Sequence, residues 1–432
     1  MLHFIGNKPV QFCDGLSRRD FLRVGALSAG ALGLTLPDLS QLGAANSARD
    51  VNCILLFLVG GPSHIDTFDL KPNAPENVRG PFRPIHTNVP GIDVCEHLPL
   101  MSKLANRFAL VRSVNHTAAP IHETGHQLMQ TGRLFRNEQE FPHYGSVLAS
   151  VRGEKERGTP PFVVLPGPIE STGVNVSHGQ TAGNLGADYA PMFISADPAR
   201  TGAQTWNTAI DTAHRTLDRS PTTQRQGLET VFSTKAKLAL DLSREREDMR
   251  SRYGRNTFGQ SVLLARRLVE TGVRLVTVNM FDTVFNHLTW DCHADGGMLP
   301  TTLRDYAETL CPMFDQAYSA LLEDLHQSGM LSNTMVLAMG EFGRTPKINP
   351  RGGRDHWTGA WSVLFAGAGI RGGQVIGSSD QHGAEVRDRP VTPAEIAGTV
   401  YRVLGIRSNL KIPGPDRQMI PLCEAEAIRE MF

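Results

Sequence analysis

The sequence lacks the features that mark several common classes of protein. Its 43 Lys and Arg residues balance its 43 Asp and Glu residues, so no excess charge indicates a nucleic-acid or anionic-membrane surface. Its six cysteines are scattered without paired spacing, which argues against a disulfide framework but leaves room for a single bridge. Beyond the amino terminus there is no second long apolar run, so we expect a soluble mature protein without a stable membrane span.

The amino terminus carries the pattern of an export signal. Ser17-Arg18-Arg19-Asp20-Phe21-Leu22 precedes a modest apolar segment, Val24 to Leu36, and then small residues up to Ala48. Paired arginines before a short uncharged stretch are typical of twin-arginine signals, with an ordinary amphipathic helix as the alternative. We therefore predict a signal peptide and leader over residues 1–48, a periplasmic or otherwise exported protein, and the twin-arginine translocase as a partner during export.

Strand and helix patterns alternate through residues 49–432, which we predict to form a single domain. Continuous apolar runs indicate buried strands, and helical patterns separate them; the runs are Val51 to Val59, Phe108 to Val111, Phe162 to Leu165, Val273 to Met280 and Thr334 to Met339. This alternation predicts an α/β fold with a mainly parallel central sheet and helices on both faces. Residues 166–215 show no clear periodicity, and we predict a loop-rich insertion there.

Acidic, basic and imidazole side chains cluster after four of the predicted strands. They are Asp66, the pair His122 and His126 on one helix face, Asp291 with His293, and Glu341, Arg344 and His356. Taken alone, each is more often a cap or a loop anchor than a ligand. The carboxyl ends of parallel strands share one edge of a sheet, however, so these side chains should converge. Their chemistry suits a divalent metal such as zinc or manganese better than calcium.

Several longer motifs resemble a known family. They are GGPSHIDTFDLKP, WDCH, MGEFGRTPKIN, GGRDHW and the closing FAGAGIRGGQVIG. With the paired arginines, they resemble bacterial family 1501 among the domains of unknown function, over essentially the whole mature chain. That family is similar to the alkaline phosphatase and sulfatase superfamily. The resemblance implies an alkaline phosphatase-like sandwich with two metal positions that grip a phosphoryl or sulfuryl group.

The resemblance also implies two sets of ligands. Asp291, His293 and His356 match the ligands of one metal. Asp66 matches the aspartate of the other, and Glu341 takes the place of a second aspartate there.

One departure concerns Phe342, which stands where the superfamily has a ligating histidine. A phenyl ring cannot bind a metal. We therefore expect His122 to compensate, which gives a second position formed by Asp66, His122 and Glu341.

A second departure concerns the nucleophile. Counting back from Thr131-Gly132-Arg133 puts His122 and His126 at the cysteine and arginine positions of sulfatases. Metal-activated water is then the favoured nucleophile, and direct attack by Thr117, Thr124 or His122 is the alternative.

Arg344 has two interpretations. As a planar, bidentate donor it is suited to bind the anionic oxygens of a substrate. A structural salt bridge beneath the loop is the alternative.

These observations predict an exported metal-dependent hydrolase of sulfate or phosphate esters that uses metal-activated water. The substrate would be a small-molecule or glycan ester, and the cofactor one or two divalent ions. The alternative is a degenerate, non-catalytic member of the superfamily that binds sulfated or phosphorylated glycans. The lost histidine and the missing nucleophile support that alternative, and metal content distinguishes the two.

Overall fold

Eight strands form the central sheet of this computed structural model, which describes residues 50–134, 140–173, 178–195, 197–199, 238–407, 409–414 and 418–432. The strands are β1 (Asn52–Phe57), β2 (Phe108–Val114), β3 (Phe162–Leu165), β4 (Met192–Phe193), β5 (Leu275–Asn279), β6 (Thr334–Met339), β7 (Trp361–Ala366) and β8 (Gln374–Ile376). The predicted signal peptide and parts of the predicted insertion over 166–215 lie outside the described residues.

The sheet is mainly parallel, which confirms the prediction. The spatial order is β8-β2-β7-β6-β1-β5-β3-β4. β1 pairs in parallel with both β5 and β6, whereas β7 runs antiparallel to its two neighbours, β2 and β6. The remaining pairs, β8 with β2 and β3 with β4 and β5, are parallel. The carboxyl ends of β1, β2, β5 and β6 therefore lie along one edge.

The longer α-helices are α1 (His122–Thr131), α2 (Tyr144–Arg152), α3 (Glu247–Tyr253), α4 (Thr257–Glu270), α5 (Cys311–Gln327) and α6 (Pro393–Val403). Single α-helical turns lie at Glu76–Arg79 and Leu303–Asp305, and a π-helical turn at Tyr306–Leu310. Short 3₁₀ segments lie at Met101–Arg107, Gly183–Leu185, Ala187–Tyr189, Leu242–Arg244, Met330–Ser332 and Arg429–Met431. Four small antiparallel pairs complete the described structure: Pro84–His86 with Asp93–Cys95, Gly343–Arg344 with His356–Trp357, Ser378–Ser379 with Val386–Asp388, and Lys411–Pro413 with Met419–Pro421.

Both faces of the sheet are covered by apolar side chains. Along β1, Ile54 and Leu56 belong to one core cluster, and Leu55 and Phe57 belong to the other. This follows from strand geometry, because successive side chains point to opposite faces. α4 and α5 contribute to the first cluster, and α2 and α6 to the second. A strand buried on both sides has no polar face, which explains the unbroken apolar run of β1.

The local signals placed several helices correctly. α6 begins at a capping box formed by Thr392 and Glu395, with Pro393 in its first turn, as its sequence indicates. α1 ends at Gly132, whose φ of 77° lies in the left-handed region that favours glycine.

The chain is continuously helical from Leu303 to Gln327, with the π turn between the α-helical turn at Leu303–Asp305 and α5. The helical segment before β2 is of the 3₁₀ type. Within the described residues, no helix has the length and apolar character that crossing a membrane requires.

Candidate functional site

The segments that follow β2, β5 and β6 at the carboxyl edge of the sheet carry the site residues. β2 is followed by α1, which carries His122 and His126, and β5 is followed by the loop that carries Asp291 and His293. β6 ends just before Glu341, and the chain returns in the short strand His356–Trp357, where His356 pairs with Arg344. The convergence expected at this edge is therefore present for most of the predicted residues.

Asp291 lies at the centre of the cluster. Its Oδ2 lies 3.2 Å from His122 Nε2. Its Oδ1 lies 3.1 Å from His293 Nε2 and 3.2 Å from His356 Nε2. One fully buried carboxylate thus receives the Nε2 atoms of three histidines, and the structure brings together Asp291, His293 and His356 as the resemblance implies.

The opposite nitrogen of each imidazole is also held. Nδ1 lies 2.7 Å from Glu341 Oε1 in His122, 2.9 Å from Asp355 Oδ1 in His293, and 2.8 Å from the Pro120 carbonyl oxygen in His356. An oxygen acceptor at Nδ1 favours the tautomer that carries its hydrogen there, which leaves the Nε2 lone pair for a ligand. This is the usual arrangement around a histidine that binds a metal.

Glu341 and His126 lie on the buried side of His122. Glu341 Oε1 accepts from the Gly60 backbone N–H at 2.7 Å and lies 3.4 Å from His126 Nε2. Both side chains are fully buried. Within the part of the chain that the structure describes, Glu341 Oε2 has no hydrogen-bond partner. α1 approaches Glu341 closely at Gly125, where a Cβ atom would lie 2.7 Å from Glu341 Cβ.

The Arg344 guanidinium neutralises the Asp291 carboxylate and also lies near His293, with Nη1 3.5 Å from His293 Nε2. Its Nη2 lies 2.5 Å from Asp291 Oδ1, and the side chain is fully buried. Its Nε–H donates to the Gly61 carbonyl at 2.9 Å, and its Nη2 donates to the Gly60 carbonyl. Gly60 is required here because its φ is 105° and a Cβ would lie 2.5 Å from the Asp291 nitrogen.

These contacts correct the prediction that Arg344 binds substrate oxygens. The buried guanidinium is engaged by the Asp291 carboxylate and by backbone carbonyls. The alternative prediction, a structural salt bridge, describes its contacts.

Asp66 departs from the predicted grouping. Its carboxylate faces the Arg354 guanidinium, with Arg354 Nε 2.6 Å from Oδ2 and Nη2 3.1 Å from Oδ1. The Ser63 hydroxyl also donates to Oδ2. His126 takes the place beside His122 and Glu341 that was predicted for Asp66. The physical reason is that the Arg354 guanidinium occupies both oxygens of Asp66, whereas Arg344 meets Asp291 through Oδ1.

The shifts in pKa follow from these contacts. Burial alone would raise the pKa of Asp291, but the Arg344 guanidinium and the hydrogen bonds of the three imidazoles hold it well below its usual range. Burial would lower the pKa of His122, but its bonds to Asp291 and Glu341 raise it to about 9. Burial lowers the pKa of His356 to about 4. A histidine must be neutral to bind a metal, so an ion at this site would have to displace the additional proton that Asp291 and Glu341 favour on His122, whereas His356 carries no additional proton at neutral pH.

Among the described residues, two groups of side chains have the chemistry and spacing to hold a metal ion. One is His122, His126 and Glu341, and the other is His122, Asp291 and His356. The second group has the better donor set, because the Nδ1 atoms of its histidines are held by oxygens. It is also the more accessible, because the His356 side chain is 19% exposed, whereas His126 and Glu341 of the first group are fully buried.

Sequence reasoning missed the residues that orient the cluster. Asp355 holds His293, the Pro120 carbonyl holds His356, and Arg354 holds Asp66. Asp355 directly precedes His356, a predicted ligand, in the GGRDHW motif. That proximity in sequence was the only indication that Asp355 belongs to the site. Phe342 is fully buried, with its ring centroid 5.1 Å from that of His122 and 4.5 Å from that of His356. It packs against the imidazoles of His122 and His356.

Comparison with known proteins adds one family and several distant structures. The family described as "Protein of unknown function (DUF1501)" matches residues 50–233 and 211–432. No curated protein matches this chain.

Three of the similar solved structures are bacterial proteins. The PsFucS1 sulfatase from Pseudoalteromonas sp. is 14% identical, with 86% of this chain and 72% of that chain covered and a TM-score of 0.41. A Bacteroides thetaiotaomicron protein, solved in work on the metabolism of multiple glycosaminoglycans, is 13% identical over 83% and 73% of the two chains, with a TM-score of 0.37. The lipoteichoic acid synthase LtaP from Listeria monocytogenes is 11% identical over 84% and 74%, with a TM-score of 0.36.

Proposed function

This chain belongs to the DUF1501 family, and we propose that it is a metal-dependent hydrolase of sulfate or phosphate esters. The observation that carries the proposal is the arrangement around Asp291. Three imidazoles direct Nε2 toward one buried carboxylate while oxygen acceptors hold each Nδ1. Of these residues, His122, Asp291 and His356 have ligand atoms close enough together to hold one ion, and carboxylate and imidazole ligands suit zinc or manganese.

The separations within the cluster support this fit. Two ligands that bind one ion tetrahedrally at about 2.1 Å lie about 3.4 Å apart. The Nε2 atoms of His122, His293 and His356 lie 3.1 to 3.2 Å from the Asp291 oxygens. Small shifts of side chains that are already oriented would admit an ion.

A divalent ion held by these residues would polarise the ester and lower the pKa of a water molecule that serves as the nucleophile. The protein's own side chains position the ligands and leave one side of the site open to substrate. Arg344 fixes the Asp291 carboxylate from the buried side. The substrate would approach from the side of His293 and His356, whose edges are exposed. His122 is a poor nucleophile, because both of its nitrogens face carboxylates.

Metal removal tests the proposal. We expect purified protein to retain a stoichiometric divalent ion and to hydrolyse an aryl sulfate or an aryl phosphate. Dialysis against a chelator should lower kcat/KM by about a thousandfold or more, since a Lewis acid supplies several kcal/mol of transition-state stabilisation. Adding zinc or manganese back should restore the rate. Circular dichroism of the chelated protein controls for unfolding, and hydrolysis that survives complete metal removal would contradict the proposal.

A non-catalytic role in binding sulfated or phosphorylated glycans is the second candidate. One observation favours it: the guanidinium of Arg344 is committed to Asp291 and backbone carbonyls rather than to a substrate. The two candidates differ in metal content and turnover. Protein that binds a sulfated glycan, but holds no stoichiometric metal and hydrolyses neither ester class, would support this role.

We further propose that the protein is exported through the twin-arginine pathway, on the strength of Arg18 and Arg19 in their sequence context. Replacing both by lysine should keep the full-length chain in the cytoplasm, because the pathway's receptor reads the paired guanidinium groups. Arg23→Lys is the matched control and should leave export intact. Cell fractionation with immunoblotting makes the measurement. Equal export of the double variant and the wild type would exclude the pathway.

A further inference from the structure

Glu341 occupies a different position from the other groups around Asp291. It lies on the far side of His122 and is fully buried, and it meets that imidazole at Nδ1 rather than Nε2. Its Oε1 also accepts from the Gly60 N–H. Glu341 therefore links the turn after β1 to the first residue of α1.

The distance between Glu341 and His122 distinguishes a hydrogen bond from joint ligation. Glu341 Oε1 lies 2.7 Å from His122 Nδ1, which is a normal charge-assisted hydrogen bond. Two atoms that share one ion would be separated by about 3.4 Å in tetrahedral coordination. With Nδ1 used in this way, a second ion would have only His126 and the remaining oxygen of Glu341 as ligands, and two ligands are too few for a stable protein site.

Asp66 is not available as a ligand for a second ion. Its two oxygens face the Arg354 guanidinium, and that side chain is itself fully buried. A cation placed beside Asp66 would have to displace a buried, bidentate charge partner, which costs several kcal/mol. In this part of the site the guanidinium supplies the positive charge.

We propose that the site holds a single metal ion and that Glu341 is a positioning residue, which holds His122 so that its Nε2 faces the ion. This inference rests on the proposed function, because it requires a metal at Asp291. Glu341 acts on His122 as Asp355 acts on His293 and as the Pro120 carbonyl acts on His356.

Metal stoichiometry and affinity test the inference without any substrate. We expect one zinc or manganese ion per chain in the wild type, measured by mass spectrometry after removal of free metal. Glu341→Gln keeps an acceptor for His122 Nδ1, and Glu341→Met keeps the volume but has none. Both should still bind one ion, with affinity lower by about tenfold in the first and about a hundredfold in the second, the range seen for outer-shell partners.

Asp355→Asn is the matched control, because Asp355 plays the same part for His293 while its side chain is 49% exposed. It should lower affinity without changing stoichiometry, and its exposure makes loss of the fold a small risk. The absorption spectrum of the cobalt-loaded protein gives a second readout. Its band positions should be the same in the wild type and in all three variants, since the ligands are unchanged.

The outcomes separate this inference from the proposed function. Two ions in the wild type, reduced to one in Glu341→Gln, would make Glu341 a ligand and overturn the inference while leaving the hydrolase proposal intact. A Glu341→Met variant that binds one ion with wild-type affinity would also overturn it. No ion in the wild type would overturn the proposed function, and the inference with it.

Discussion

Replacing Asp291 by asparagine should abolish stoichiometric metal binding and lower ester hydrolysis by about a thousandfold or more. Asp291 is the one carboxylate that all three Nε2 atoms face, and the amide oxygen that replaces it carries no charge to hold a divalent ion. The loss of affinity should exceed the tenfold to hundredfold expected for an outer-shell change. Metal analysis and kcat/KM of the same preparation make the measurement, and a melting curve verifies that the variant is folded.

Asp66→Asn is the matched control, because Asp66 is equally buried and also faces an arginine. It should lower the melting temperature and leave the metal content unchanged. If Asp66→Asn instead loses metal as completely as Asp291→Asn, then Asp66 is a ligand, as the sequence predicted, and its pairing with Arg354 does not persist in the loaded protein.

The sheet could be predicted because buried parallel strands leave a clear trace in sequence. β1 and β6 are fully buried, and each is apolar after its first residue. The antiparallel direction of β7 could not be predicted in this way, because a buried strand has the same apolar pattern whether it runs parallel or antiparallel to its neighbours. α2 begins at His143, whose side chain accepts from the Gly145 N–H. Histidine is an uncommon cap, so the usual signals did not mark the start of this helix.

The convergence of the site could be predicted from topology. His122, Asp291, Glu341 and His356 all follow strands of one mainly parallel sheet, and the structure brings their side chains together. Their roles as ligands stay predictions, because no ion has been measured.

The placement of Asp66 apart from the predicted group has a physical origin. An aspartate after a strand has the same sequence signature whether a metal or an arginine compensates its charge. The partner that decides the matter, Arg354, lies 288 residues further along the chain. Such long-range pairing is determined by packing of the loops, and neither periodicity nor motif spacing encodes it.

The role of Arg344 was also undecided from sequence. Its two predicted roles differ only in the partner of the guanidinium, which is either a substrate or another group of the protein. The carbonyls of Gly60 and Gly61 receive the guanidinium. Glycines let the backbone approach another group closely, and here that group is a side chain of the protein itself.

Arg344→Met should lower the free energy of unfolding of the metal-free protein by about 3–5 kcal/mol, because it leaves Asp291 buried without its guanidinium partner. A bound ion would supply the missing positive charge, so adding zinc or manganese should raise the melting temperature of this variant more than that of the wild type. Recovery should be incomplete, since the carbonyls that Arg344 bonds lose a donor.

Arg354→Met provides the comparison, because it removes a guanidinium that is just as buried from Asp66. It should destabilise the protein by a similar amount, but the ion should raise its melting temperature no more than it raises that of the wild type. Denaturation of both variants with and without metal makes the test. Equal rescue of the two variants would mean that the ion compensates Asp66 as well as Asp291. Rescue of neither would mean that no ion reaches Asp291, because an ion bound there must reduce the cost of a carboxylate that has lost its arginine.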